Sequence, residues 1–273
     1  MKCSNRTYTP WLQFVNQLKS IVIQGNVSSI GDYAFNNCKI LESITILSPI
    51  SLIGHGAFCN CTKLSSITIP SGVTSIEDDT FYGCISLKTV NITSNLTSIG
   101  YYSFEGCKKL ASITIPSSVI SIGTYAFCGC ESLSSITIPS SVTVIESKTF
   151  EGCINLKTVD ITSNLTKIGP FAFYNCKNLT SITMPSSVSS IGSNAFEGCE
   201  SLSSITIPSG VTSIESLTFY GCTNLKTVNI TSNLTSIGLS AFENCENLAS
   251  ITIPSSVTSI TVTPDGTVTD DNS

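Results

Sequence analysis

Phenylalanine returns every 23 residues along this chain, at Phe35, Phe58, Phe81, Phe104, Phe127, Phe150, Phe173, Phe196, Phe219 and Phe242, and no interval slips. Cysteine stands three residues after each, from Cys38 to Cys245, and leucine six after each, from Leu41 to Leu248. An alternating pair such as Ile205 and Ile207 follows, then Val211 and Ile214, and a small residue such as Ala195 or Thr218 precedes the phenylalanine. A fixed period of this length is the signature of a repeat array.

Each unit predicts two kinds of local structure. The spacing Phe196, Cys199, Leu202 places three side chains on one face of a helical or 3-10 turn, whereas "SSITI" alternates as a half-buried strand does. Pro208 ends the strand, as Pro70, Pro116, Pro139, Pro185 and Pro254 do in other units, because proline has no N–H to give a ladder. A second short extended piece, "VTSI", follows before the next turn.

No unit can fold alone, since burying seven apolar side chains does not offset the entropy of ordering 23 residues. Stacked units share hydrogen bonds and cover one another's apolar edges. The expectation is an α/β to mainly β solenoid of 23-residue coils, with parallel strands on one face and short 3-10 or helical turns on the other. At about 4.8 Å per coil it makes a rod or shallow arc roughly 50 Å long.

The boundaries follow from where the pattern degrades. Leu12, Val15, Leu18, Ile21, Ile23, Val27 and Ile30 occupy the repeat positions one period before Phe35, and Trp11 takes the alanine slot, so 11–34 reads as a cap coil inside an 11–261 solenoid. Residues 1–10 read as an extension and 262–273, "VTPDGTVTDDNS", as a polar tail or linker. A longer period overlies the short one. Glu77, Glu146 and Glu215 replace the usual glycine at intervals of 69, and "KTVNITSNL" or "KTVDITSNL" starts at Lys88, Lys157 and Lys226. The array therefore grew by triplets.

Composition narrows the function. Charged residues are 11 %, while Ser and Thr number 79, so hydroxyls rather than charges make the polar surface. A net charge of −5, with no Lys/Arg run, argues against nucleic acid. Neither a signal peptide nor a membrane span is visible, because "MKCSNRTYTPWLQF" lacks an apolar core and no stretch reaches 18 continuous apolar residues. Nine N-x-S/T sequons, among them Asn91, Asn95, Asn164, Asn178, Asn229 and Asn233, are little more than chance gives with 19 Asn.

Ten of the 13 cysteines fall in the ladder, on the face of Phe and Leu, where a thiol packs as a small hydrophobe. Disulfides down the ladder compete with this reading, but equivalent side chains of stacked coils point in parallel and would break the row into pairs. The C-x-C pairs Cys59/Cys61 and Cys128/Cys130 lie three coils apart, roughly 14 Å, too far to share one zinc. No metal or cofactor is expected. Any reactive or bridging thiol belongs to Cys3, Cys59 or Cys128, outside the ladder.

The unit "LSSITIPSSVTVIESKTFEGC" resembles the BspA-like (Treponema-type) leucine-rich repeat, and the resemblance covers residues 11–260. It implies a right-handed superhelix, surface or secreted, carried by host-associated bacteria and protists, with relatives implicated in adhesion to host matrix proteins or other cells. It implies no catalytic residues. Only Asn95, Asn164 and Asn233 keep the asparagine of the general leucine-rich pattern; if they point inward to bond turn backbone, they can carry no sugar.

The leading function is a non-catalytic binding scaffold, adhesin-like, with the strand face as its surface and a host matrix or cell-surface protein, or a glycan, as partner. The candidate residues are Lys88, Asn91, Thr114, Thr137, Lys157, Asp160, Thr183, Thr206, Lys226 and Asn229, beside a row formed by Ser112, Ser135, Ser181 and Ser204. Such hydroxyls are also merely β-favouring and soluble. A stalk holding another domain is the alternative, and ordering of ice-like water by a flat Thr array is a third reading. An enzyme is not expected: His55 is the only imidazole, and the three glutamates are too far apart for a carboxylate pair. A monomer is expected.

Overall fold

A computed structural model describes residues 11–262 apart from 94, 163, 231 and 232; the expected 1–10 extension and all but the first residue of the tail lie outside the described residues. The chain winds into a β solenoid in which each coil contributes up to two strands. Four-residue strands at Ser20–Ile23, Ser43–Ile46, Ser66–Ile69, Thr89–Ile92, Ser135–Ile138, Thr158–Ile161, Ser204–Ile207 and Thr227–Ile230 form the long face. Eleven two-residue strands, from Ser29–Ile30 to Ser259–Ile260, form a second ladder. All pairing is parallel and offset by one period: Ile136 faces Val159, and Ile145 faces Ile168. A one-residue slip would turn every inner isoleucine outward, so the pattern itself pins the register.

The core is a set of columns running along the array. Phenylalanines from Phe35 to Phe242 stack nearly parallel, with ring centroids 5.3–5.7 Å apart. Trp11 closes the column over Phe35 at 6.4 Å. Separations wider than the coil rise mean offset stacking, which aromatic quadrupoles prefer. Columns of Cys, Leu and Ile fill the remaining section, and almost all are fully buried.

The turns differ from a helix in one respect. Their three-residue bonds are present, as in Cys61 N–H to Phe58 O (3.1 Å), but two residues per turn are left-handed. One lies two positions after the phenylalanine and is always Gly or Asn, such as Gly83 (φ 67°) and Asn60 (φ 57°). The other lies two positions before it and is more varied, taking Tyr, Lys, Phe, Leu, Asp, Asn, Ser or Gly. This alternation points every second N–H at the next coil, as in Phe58 N to Thr80 O (2.9 Å), and adds a third ladder between coils.

The triplet period has a steric cause. A Cβ on Gly123 would stand 2.7 Å from Tyr101 N and 2.8 Å from Gly100 C, in the coil before. Where Glu77 or Glu215 fills that slot, the backbone bond from the residue three on is 3.4 Å, slightly longer than the 3.1–3.3 Å of the glycine coils, as from Ala126 N to Gly123 O and Ala195 N to Gly192 O. That residue is then threonine: Thr80, Thr149 and Thr218 donate their hydroxyls to Glu77 O, Glu146 O and Glu215 O at 2.7–2.8 Å. The hydroxyl restores what the displaced backbone weakens.

Candidate functional site

All ten strand-face candidates are exposed and lie on one face. Asn91, Thr114, Thr137, Asp160, Thr183, Thr206 and Asn229 form one row, because outward residues of successive coils stand one strand spacing apart. Thr137 is in register with Asp160, and Thr206 with Asn229, whose amide donates to the Thr206 hydroxyl at 3.5 Å. Ser112, Ser135, Ser181 and Ser204 make the neighbouring row. Lys88, Lys157 and Lys226 border both rows but stand three coils from one another, so the residues form a surface and not a convergent pocket.

Many hydroxyls elsewhere on the molecule are committed to its own backbone. Thr97, Thr166 and Thr235 donate to Thr74 O, Thr143 O and Thr212 O at 2.9–3.0 Å. Ser65 and Thr180 reach Glu42 O and Lys157 O, and Ser118, Ser187 and Ser256 reach leucine carbonyls of the preceding coil. These bonds account for much of the unusual Ser and Thr content. In the two outward rows, among the described residues, only the long contact between Asn229 and Thr206 engages a side-chain hydroxyl.

Lys19 belongs to the lysine row and was legible in the sequence, since it lies 69 residues before Lys88. Asn95, Asn164 and Asn233 do not meet the inward condition. All three are exposed, Asn164 donates outward to Ser140 O at 3.2 Å, and the inward position is filled by the next residue, Leu96, Leu165 or Leu234. In this coil a buried leucine replaces the inward asparagine amide.

The ladder cysteines are buried free thiols. Each from Cys61 to Cys245 donates to the carbonyl of the phenylalanine 26 residues earlier, at 3.1–3.3 Å. Burial pushes the Cys84 thiol up to about 12, and those of Cys38 and Cys245, in the outermost ladder coils, to about 11. They are poor nucleophiles. Of the cysteines outside the ladder, Cys3 lies outside the described residues, Cys59 is disulfide-bonded, and Cys128 is a half-buried thiol in no disulfide.

His55 faces carboxylates from the next coil, with Nε2 3.5 Å from Glu77 and Nδ1 3.8 Å from Asp78. Beside them Asp79 is 5 % exposed, with Oδ1 lacking a hydrogen-bond partner; burial, and then Asp78, push its carboxyl up to about 6. In the turns, Tyr102 stacks on Tyr125 at 4.8 Å, and the Lys148 ammonium lies between the Tyr125 and Phe171 rings, 5.1 and 4.9 Å from their centroids. Among the described residues no three His, Cys, Asp or Glu side chains are grouped to hold a metal, and no helix is long and apolar enough to cross a membrane.

Overlapping matches to the sequence model of the BspA type leucine rich repeat region cover residues 13–119, 51–179, 97–220 and 143–263. The chain belongs to this family. Among solved BspA-type and other leucine-rich repeat structures, it is 33 % identical to a leucine rich cell surface protein of Faecalibacterium prausnitzii, over 90 % of this chain and 73 % of that one, with a TM-score of 0.56. It is 32 % identical to a leucine rich repeat protein of Treponema pallidum, over 67 % and 77 % of the two chains, with a TM-score of 0.49. A leucine-rich repeat protein of Eubacterium ventriosum shares the fold at 23 % identity, over 95 % and 86 %, with a TM-score of 0.53. Comparison with curated proteins gave no match.

Proposed function

We propose that this BspA-type chain is a non-catalytic binding scaffold, displayed at a cell surface or secreted, that contacts a matrix or cell-surface partner through its strand face. One observation carries the reading. Many surface hydroxyls at the edges of the coils, those of Thr97, Thr166 and Thr235 among them, bond the preceding coil's carbonyls, whereas those of the two outward strand rows, with Lys88, Lys157 and Lys226 beside them, stay available to a partner. The cell-surface description of the Faecalibacterium relative supports the location. The expected division into an extension, an 11–261 solenoid and a tail remains part of this proposal.

Attachment of the purified chain to epithelial cells and to immobilised matrix proteins tests it, with Lys88, Lys157 and Lys226 changed together to Gln and Asp160 changed to Ala. A loss of attachment, with melting unchanged, supports the strand face. Unchanged attachment moves the site elsewhere, and no attachment by the unaltered chain favours the stalk.

A further inference from the structure

Four lysines stand in one row at the start of the long strands. Lys19, Lys88, Lys157 and Lys226 are each 69 residues from the next, so three coils, about 14 Å, separate neighbours. All four are exposed, and none forms an ion pair among the described residues. Three lysines in the turns do pair: Lys108, Lys148 and Lys177 meet Glu131, Glu151 and Glu200 at 2.7, 3.4 and 2.8 Å. The chain carries −5 overall, yet Glu42 and Asp160 are the only acids in this row and the two outward rows beside it. Charge is thus segregated, with uncompensated cations bordering unengaged hydroxyls.

Resting on the strand-face reading above, we infer that this face takes an extended acidic polysaccharide laid along the solenoid axis. Its sugar hydroxyls meet the two outward rows, and its carboxylate or sulfate groups meet the lysine row. The repeat distance selects this class over an acidic peptide. An extended peptide advances about 3.3 Å per residue against about 4.8 Å per coil, so its successive side chains meet different parts of the surface. A pyranose ring is comparable in length with one coil and finds a pair of hydroxyls in two coils of every three, with Asn91, Asp160 or Asn229 in the third. Single contacts of this kind are weak; repeated along a polymer they add up as avidity. Binding driven by exposed lysines is also screened by salt. Asp160, in the slot held by Asn91 and Asn229 one triplet away, opposes an anion at the middle of the track.

Surface plasmon resonance of the full chain over immobilised heparin, hyaluronan, neutral dextran and poly-L-glutamate tests the inference at low and near-physiological salt. Expected are binding to the two acidic polysaccharides that weakens with salt, and weaker binding to poly-L-glutamate and dextran. Changing Lys88, Lys157 and Lys226 together to Gln lowers the affinity about tenfold, and Asp160→Asn raises it about two- to fivefold. Thr137→Val with Thr183→Val weakens polysaccharide binding while leaving poly-L-glutamate unaffected. Equal affinity for poly-L-glutamate, indifference to the lysine changes, or weaker binding by Asp160→Asn overturns the inference. If neither acidic polysaccharide binds but the lysine variant still loses cell attachment, the glycan assignment falls and the strand face stands. If attachment is unchanged as well, both fall.

Discussion

The thiol of Cys199 donates to the carbonyl oxygen of Phe173, 3.3 Å away in the preceding coil. That oxygen also accepts the N–H of Cys176 at 3.1 Å, so one buried carbonyl ties together a turn and the coil after it. Cysteine is small and apolar enough for the core and still supplies a donor, which alanine does not. Cys199→Ala is expected to cost about 1–3 kcal/mol, from the lost donor and the small cavity together. Urea unfolding, with the midpoint shifted and the slope retained, checks this.

Native thiol chemistry follows from the same burial. With Cys84 pushed up to about 12 and fully buried, the ladder thiols carry almost no thiolate at neutral pH. Titration of the folded chain with a thiol reagent should modify half-buried Cys128 first and reach the ladder only after denaturant is added. Rapid reaction of several ladder thiols in the folded protein would contradict the stacked core.

Asp79 makes the N-terminal coils sensitive to pH. Its folded-state carboxyl is raised from 3.8 to about 6, so the native form holds its proton more tightly than the unfolded chain. Stability from this group is therefore full below 3.8 and falls as pH rises to about 6. Asp79→Asn should stabilise the protein at neutral pH, by on the order of 1–3 kcal/mol, and the gain should vanish in acid. Thermal melts across that range measure it; a gain independent of pH would point to a cause other than ionisation.

Thr149 and Glu146 should be coupled. Thr149→Ala removes the 2.8 Å bond to Glu146 O and is expected to cost about 1 kcal/mol. In a Glu146→Gly background, where the coil can close as it does at Gly123, the same change should cost measurably less. A double-mutant cycle with no interaction energy would refute the steric account of the triplets.

Hydroxyls on the two kinds of surface should respond differently to removal. Thr166→Val loses the bond to Thr143 O and should cost about 1 kcal/mol. Thr183→Val, on the strand face, should stay within about 0.5 kcal/mol of the unaltered protein. Equal effects at the two positions would erase the distinction on which the binding surface rests.

Coil length, the inward set of Phe, Cys, Leu and Ile, and the outward strand rows were all legible in the sequence, as was Lys19, overlooked among the candidates. The direction of Asn95, Asn164 and Asn233 was not, because a family pattern says what one slot usually holds, and here Leu96, Leu165 and Leu234 take the inward place. The spacing of Phe196, Cys199 and Leu202 fits a helical or 3-10 turn, and the three-residue bonds agree with the latter, but a left-handed Asn194 and Gly198 leave that spacing unchanged. Spacing reports which side chains share a face, not the backbone path between them.

By itself, then, the sequence determined the period, the register and the identity of the core, since an unbroken 23-residue repeat leaves each buried column only one way to stack. Tertiary structure alone decided which polar groups are committed and which are available. Whether the Thr97 hydroxyl bonds Thr74 O, whether Cys199 reaches Phe173 O, and whether His55 meets Glu77 and Asp78 depend on what the neighbouring coil presents within 4 Å. Those partners lie 22–26 residues away along the chain, and only the winding of the backbone brings them together.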